Sequence, residues 1–214
     1  INTQVKRILK VATDYGFDDN LWHNYLTFFL MMSENPFSMT CEKVGASDGS
    51  VNELVENDFR IFKELFDYDF GPIEKDLGIN CFSQISNYKA IHKKDLMYNK
   101  NVSEKVRSLS KKLEAAKDEK EFFDAVTGFY KDYGVGMFGL NKAFRIDDTP
   151  QGSFTFRAIN NMDTVMLDDL VGYEIQKKKL VDNTEAFVQG KKANNVLLFG
   201  DRSEERRVGK ECRS

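Results

Sequence analysis

The sequence predicts a mainly helical region over residues 1–165 that carries one β-hairpin, followed over 166–201 by the first helix and strand of an α/β unit. Three observations predict this. Apolar residues recur at helical spacing through most of 1–133. Two short strand-like runs flank a turn-forming stretch at 147–152. A wholly apolar run at 196–199 follows a helix-length segment and ends on Gly200.

Val5, Ile8, Leu9 and Ala12 share one face of a first helix, which Gly16 ends. Residues 21–32 form a second, strongly apolar helix holding Trp22, Tyr25, Phe28 and Phe29. Asn35-Pro36 breaks the chain after it, because a proline pushes the residue before it out of α conformation. Ser50 with Glu53 reads as a capping box opening a helix through Leu54, Phe59, Phe62 and Phe66. Residues 67–101, punctuated by Gly71-Pro72 and Gly78, read as loop with short helical pieces. Two helices follow over 103–116 and 118–133, the second with Phe122, Phe123, Val126, Phe129 and Tyr130 inward.

Residues 135–146 and 153–159 then read as two strands, so the hairpin spans about 135–159, turning through Asp147-Asp148-Thr149-Pro150-Gln151-Gly152. Residues 160–169 connect to the last helix, which Asp168 or Asp169 is expected to cap. On that helix Tyr173, Leu180 and Phe187 recur every seven residues, backed by Val181 and Val188, and Gly190 stops it. A linker over 191–194 leads to the strand at 196–199, expected to be buried on both faces.

Composition narrows the function classes. With 41% hydrophobic residues in 214, the chain can bury a substantial core. Its formal charge of −3 gives no basic footprint for nucleic acid. The apolar stretch 26–32 is far too short to span a bilayer. Cys41 and Cys81, unpatterned and without a secretory signal, point to a reducing cytoplasm. Ile1 opens the chain inside an amphipathic pattern with no initiator Met, so an internal piece of a longer protein is expected, missing residues at both ends.

Several motifs fail as sites. Gly134, Gly136 and Gly139 match G-x-G-x-x-G, but the match follows a helix and enters a strand, the reverse of a dinucleotide-binding context. His23 beside Trp22 and His92 in a Lys-rich loop are the only histidines, and no Cys or paired carboxylates are spaced for a metal. Neither a metal site nor a catalytic set is expected. The 18 Phe read as packing, and Lys177-Lys178-Lys179 as a solvated face.

Helix, short linker, apolar strand and glycine turn form the opening of a P-loop α/β domain. A phosphate loop needs G-x-x-x-x-G-K-[ST] from Gly200, so that backbone N–H groups, Lys and a hydroxyl surround the phosphates. The sequence instead runs to Gly209-Lys210-Glu211, with the spacing too long and a carboxylate where the hydroxyl belongs. The tail 202–214, RSEERRVGKECRS, shows no face that could pack, and it resembles translated sequencing-adapter read-through. It holds five basic and three acidic residues, and without it the net charge is −5.

The resemblance then becomes specific. Leu167-Asp-Asp-Leu-Val-Gly172-Tyr-Glu, followed after about twenty residues by Asn194-Asn-Val-Leu-Leu-Phe-Gly200-Asp, resembles the opening of an AAA-type ATPase. More closely, the chain resembles an uncharacterised bacterial family of AAA-like ATP-binding proteins with a long helical N-terminal region. Further matching stretches include Leu21-Trp22-His-Asn-Tyr25, Glu34-Asn-Pro36-Phe37-Ser, Phe129-Tyr-Lys-Asp-Tyr-Gly134-Val-Gly136 and Phe138-Gly-Leu-Asn-Lys-Ala-Phe144-Arg145. The resemblance implies that Leu170, Val171, Gly172 and Tyr173 line an adenine pocket and that Gly200 and Asp201 begin the phosphate loop. It implies ATP and Mg2+ as ligands of the intact parent, which hydrolyses ATP to remodel a protein partner and can form a homo-oligomer. The loop's Lys and Ser/Thr, the acidic metal-binding strand, the sensors and any arginine finger are absent here. This chain is therefore expected to bind no cofactor and to be inactive, truncated at the site. The competing expectation is a helical adaptor that recruits a protein without nucleotide chemistry. An unrelated helical enzyme ranks last, for want of a catalytic constellation.

Overall fold

Local signals start and stop most of the helices where the sequence places them. The computed structural model describes residues 2–46, 49–90, 98–149, 152–160 and 166–198. Expectations that fall on Ile1, His92, Pro150, Gln151, Phe199, Gly200, Asp201 and the 202–214 tail lie outside the described residues. The chain divides into two compact units, Ile1–Met162 and Asp163–Ser214.

In the first unit, α1 (Asn2–Tyr15) ends at Gly16, and α2 (Leu21–Met32) is capped by the Asn20 side chain, which accepts from His23 N. Pro36 does break the chain, and it also opens a helix that the sequence reading left unassigned, α3 (Pro36–Val44). Asn35 caps α3 in a reciprocal pair with Ser38, and proline fits the first helical position, where its missing N–H costs nothing. α4 (Ser50–Phe66) corrects the expected capping box: Gly49 holds the N-cap position, with no side-chain cap, and Ser50 is already helical. On α4 Leu54 is exposed, whereas Phe59 and Phe66 are buried.

The stretch read as loop with helical pieces contains α5 (Gly71–Leu77) and α6 (Cys81–Ser86). Glu74 joins them, its carboxylate accepting from the Phe82 and Ser83 amides and the Ser83 hydroxyl. These bonds hold the Glu74 carboxyl below the usual carboxylate range. α7 (Lys100–Ala115) and α8 (Glu119–Tyr133) follow, capped by Asn99 and Asp118.

Here the structure departs from the sequence reading. Residues 136–140, expected to begin a strand, form a short helix, α9 (Gly136–Leu140). Gly134 and Gly136 take positive φ, and Gly139 packs so tightly on the Gly134 carbonyl that a Cβ there would collide with it. That fold-back excludes an extended strand. Lys105 and Asn101 of α7 then hold the C-terminal carbonyls of α9, with Lys105 Nζ 2.8 Å from Gly139 O and Asn101 Nδ2 2.8 Å from Leu140 O. The hairpin is correspondingly shorter, β1 (Phe144–Asp148) paired antiparallel with β2 (Phe154–Ala158).

The core sits around α2, which is apolar on nearly every face and contacts α1, α4, α6, α7 and α9. Leu21, Met31, Phe66, Val102, Val106, Leu113, Phe122 and Val126 are fully or almost fully buried. Edge-to-face contacts tie Phe59 and Phe66 of α4 to Phe122 of α8. The polar groups of α2 are satisfied locally: Asn24 Nδ2 donates to Asp18 O and Thr27 Oγ1 to His23 O, each at 2.8 Å. Tyr130 of α8 donates its buried hydroxyl to Leu30 O at 2.9 Å. Burial pushes that phenol up.

The second unit is built differently. A 3-10 turn (Leu167–Asp169) leads through residues 170–173 into α10 (Glu174–Val188). Neither Asp168 nor Asp169 caps α10, as the sequence reading expected. Asp169 instead closes the 3-10 turn by accepting from Met166 N at 2.7 Å, and Tyr173 occupies the N-cap position of α10. Gly190 does stop the helix, in a Schellman arrangement with Gly190 N on Phe187 O and Lys191 N on Ala186 O. Residues 192–198 form no strand, and Leu197 and Leu198 are exposed, which corrects the expectation of a buried strand. A parallel strand takes its hydrogen bonds and its cover from neighbouring strands, and none among the described residues pairs with this segment.

Two outcomes follow for stability. Leu113→Ala or Phe122→Ala should cost about 3–5 kcal/mol in urea denaturation followed by far-UV circular dichroism, since both side chains are fully enclosed. His23 of α2 is stacked on Phe66 at 3.9 Å, its Nε2 lies 2.8 Å from Phe66 O, and its buried Nδ1 has no hydrogen-bond partner. Burial pushes its imidazole below the usual 6.5, against smaller raising effects from Phe66 O, Glu114 and Asp67. The unfolded chain then takes up the proton first. Stability is intact above the ordinary imidazole value and lost as pH falls from there through the folded value. Denaturation midpoints measured from pH 7.5 down to about 5.5 should fall for the native chain and fall less for His23→Gln; equal slopes would remove His23 as the cause.

Candidate functional site

Residues 170–173 form a short exposed connection clamped at both ends. At its start, Leu170 N donates to Leu167 O at 3.3 Å, closing the 3-10 turn. At its end, Tyr173 O accepts from Lys177 N at 2.8 Å, the first bond of α10. Gly172 at φ 84° and Tyr173 at φ 58° are consecutive left-handed residues, which reverse the chain into the helix. Glycine is needed at the first, where a side chain would be strained.

Lys177 closes the clamp. Its Nζ lies 2.9 Å from Leu170 O and 2.7 Å from Glu174 Oε1, so the ammonium reaches across the whole connection. The sequence reading placed this lysine on a solvated face with Lys178 and Lys179. Lys178 does lie exposed, 3.5 Å from Asp182, but Lys177 is largely covered. No spacing signal marks such a residue, because its partner is a carbonyl seven positions back across a reversal.

The clamp leaves the recognition groups outward. Leu170, Val171 and Tyr173 are all exposed, Val171 by 95%. Among the described residues, the backbone N–H and C=O groups of Val171 and Gly172 have no hydrogen-bond partner. The result is a small apolar edge beside free backbone donors and acceptors, chemistry that suits a planar heterocycle such as adenine. At the far end of α10, Asn183 pairs reciprocally with Asn194, Nδ2 on Asn194 O and Oδ1 on Asn194 N, both at 2.9 Å. This folds the linker back along the helix before residues 196–198. Of the six residues expected to touch nucleotide, the structure thus groups Leu170, Val171, Gly172 and Tyr173, while Gly200 and Asp201 lie outside the described residues.

The motifs and hollows among the described residues of the first unit are already filled or turned inward. The Gly134, Gly136 and Gly139 motif is occupied by acids: Glu42 Oε2 lies 3.3 Å from Val135 N, and the Glu34 side chain packs where a Gly136 side chain would stand. Two carboxylates there repel any phosphate. Gly134 does cap α8, but the motif then enters α9 rather than the expected strand. A shallow hollow of about 180 Å³ between α7 and α8 is lined by Lys105, Asp124, Asp132 and Tyr133. Burial and the nearby Lys142 charge hold the Lys105 amine below its ordinary value, yet its donors are already turned to the α9 carbonyls. Among the described residues no group of three or more His, Cys, Asp or Glu is placed to hold a metal ion. Among them, too, no helix is long and apolar enough to cross a membrane.

Comparison with known proteins returns one family. No curated protein matches the chain, and no solved structure does. Residues 140–210 match the family model described as "Protein of unknown function (DUF815)", a span that takes in β1, β2, the 170–173 connection and α10 and runs through residues 202–210 of the tail. Over that span the chain is similar to this uncharacterised family.

Proposed function

We propose that residues 166–201 open an AAA-type ATP-binding unit, in which Leu170, Val171, Gly172 and Tyr173 hold the adenine base and Gly200 and Asp201 begin the phosphate loop. The observation that carries this reading is the apolar surface of the second unit. Among its described residues none is buried, and Val171, Ile175, Phe187, Val188, Leu197 and Leu198 are all at least 70% exposed. Six side chains of this size, once enclosed, contribute about 1.5–3 kcal/mol each. A fold that presents them to solvent is one layer awaiting another. The remaining strands of a parallel α/β sheet would supply that layer and would pair with residues 196–199.

In this reading the longer protein binds ATP with Mg2+ and couples its hydrolysis to remodelling a protein partner, as a homo-oligomer. The nucleotide and the metal would supply the phosphoryl chemistry. This chain's own residues supply the base edge: apolar contact from Leu170, Val171 and Tyr173, and backbone hydrogen bonds from Val171 and Gly172. Lys177 and Gly172 position that edge. Phosphoryl transfer further requires a loop Lys, a metal-binding hydroxyl and acidic groups around the metal, and the residues after Gly200 provide none of them at the required spacing. In this reading the 214-residue chain is not an ATPase by itself.

A second reading rests on the first unit, which owns a core of its own and, among its described residues, no cluster placed to hold a metal ion. It is a recruitment module that docks the partner for the ATP-binding unit. If so, residues 1–162 unfold cooperatively on their own; if they hold their fold only beside a complete ATP-binding domain, they are a structural lid.

The ATP reading is tested in two steps. The 214-residue chain should show no magnesium-dependent ATP turnover, and measurable turnover would overturn that assignment. The uninterrupted gene should read G-x-x-x-x-G-K-[ST] from Gly200. In that protein Val171→Asp should raise the ATP dissociation constant at least about tenfold, roughly 1.4 kcal/mol, while a matching charge at exposed Lys178 leaves it unchanged.

A further inference from the structure

The hairpin is the least supported element of the first unit. β1 and β2 pair only with each other among the described residues, and a lone two-stranded sheet is marginal in water. One of its faces is mostly apolar, with Phe144, Ile146, Phe154, Phe156 and Ala158, and carries Asp148 at its turn end. Phe138 of α9 covers only its base, contacting Phe144 and Phe156, and leaves Ile146 and Phe154 more than 60% exposed. The other face carries Arg145, Asp147, Thr155 and Arg157.

The register decides which backbone groups are free. Ile159 N donates to Ala143 O and Thr149 N to Ser153 O, so the odd-numbered β1 residues sit at the hydrogen-bonded positions of the hairpin. The N–H and C=O groups of Phe144, Ile146 and Asp148 therefore point away from β2. Edge strands of this kind are usually protected by proline, a bulge or charge; residues 144–148 contain no proline, and their charges, Arg145 against Asp147 and Asp148, are of both signs and so can pair with a second copy.

We propose that β1 is a self-association edge, on which two copies of this chain join antiparallel about Ile146 into one four-stranded sheet. A two-fold through Ile146 sets Ile146 against the partner's Ile146 and Phe144 against the partner's Asp148. Those are the three β1 residues whose backbone groups have no partner among the described residues, so every outward donor meets an acceptor. The same two-fold sets Arg145 opposite the partner's Asp147 at the close, non-hydrogen-bonded positions, twice per interface. Arg145 forms no ion pair among the described residues, whereas Asp147 is already held by Arg157 at 2.5 Å. Pairing would place each Asp147 carboxylate between two guanidinium groups. The outer edge of β2 has no such complementarity: a two-fold about Phe156 sets Thr155 against the partner's Arg157. The joined sheet carries the aromatic residues of both copies on one face, which gives the hairpin the third and fourth strands that it lacks.

Charge exchange tests this with the full 214-residue chain in sedimentation velocity over a wide concentration series. The native chain should show a concentration-dependent monomer–dimer equilibrium. Arg145→Asp sets aspartates opposite each other and Asp147→Arg sets arginines opposite each other, so each variant alone should dimerise at least about tenfold more weakly. An equimolar mixture of the two pairs opposite charges again and should recover dimer. Ile146→Pro removes an outward N–H while sparing the bonds to β2, and it should abolish association with an unchanged far-UV spectrum. A native chain monomeric throughout, full dimerisation by Arg145→Asp alone, or a mixture no tighter than its components would each overturn the proposal. Should Asp147→Arg unfold the hairpin, Ile146→Pro decides alone.

Discussion

Enclosure of α2 is the constraint on which the first unit depends. Phe29 and Met32 apart, the twelve residues of α2, nine of them apolar, can be stable only if other helices cover them. Five elements do so, and their own ends are arranged around that task. The helix-capping asparagines and the short α5–α6 step carry the chain from one side of α2 to another. The tight glycine fold-back after α8 lets α9 reach it. Polar groups brought into this environment each find a partner nearby, Asn24 on the preceding loop and Tyr130 on a carbonyl of α2 itself. The orphaned Nδ1 of His23 is the exception among the described residues, and it makes the helix responsive to acid.

The second unit obeys a different economy. It has no enclosed side chain among its described residues, and its conformation is set by polar clamps: Asp169 on Met166, Lys177 on Leu170, Asn183 on Asn194. Clamps of this kind fix backbone geometry cheaply but add little stability, since each is an exposed bond competing with water. Such a unit can present a shaped edge without a packed core. That is why the 170–173 connection has a defined conformation although it is exposed.

Much of this organisation was legible in the sequence, for identifiable reasons. The bounds of α2 were readable because asparagine precedes it and its apolar character is continuous. The ends of α1 and α10 were readable because Gly16 and Gly190 take left-handed backbone. α3 was also readable in principle, since Asn35-Pro36-x-Ser38 is a helix start, but proline was read only as a break. The strand assigned to 135–146 failed over 136–140, because a run of residue types cannot foresee a glycine packed on another residue's carbonyl. The cap assigned to Asp168 or Asp169 failed because a short 3-10 turn intercepted the carboxylate. Of the candidate site, the residue types were legible, whereas Lys177 and Asn183 were not. Both act on backbone carbonyls far along the chain, and backbone leaves no trace in side-chain periodicity.

The hydrogen bond from Tyr130 to Leu30 spans 100 residues of chain, and its length has a consequence for synthesis. α2 leaves the ribosome before α7, α8 and α9, which help to seal it. At roughly 5–20 residues per second, the apolar helix waits on the order of 5–20 s before its last cover arrives. For that interval the nascent chain displays a strongly apolar segment, the kind of surface that chaperones hold during translation.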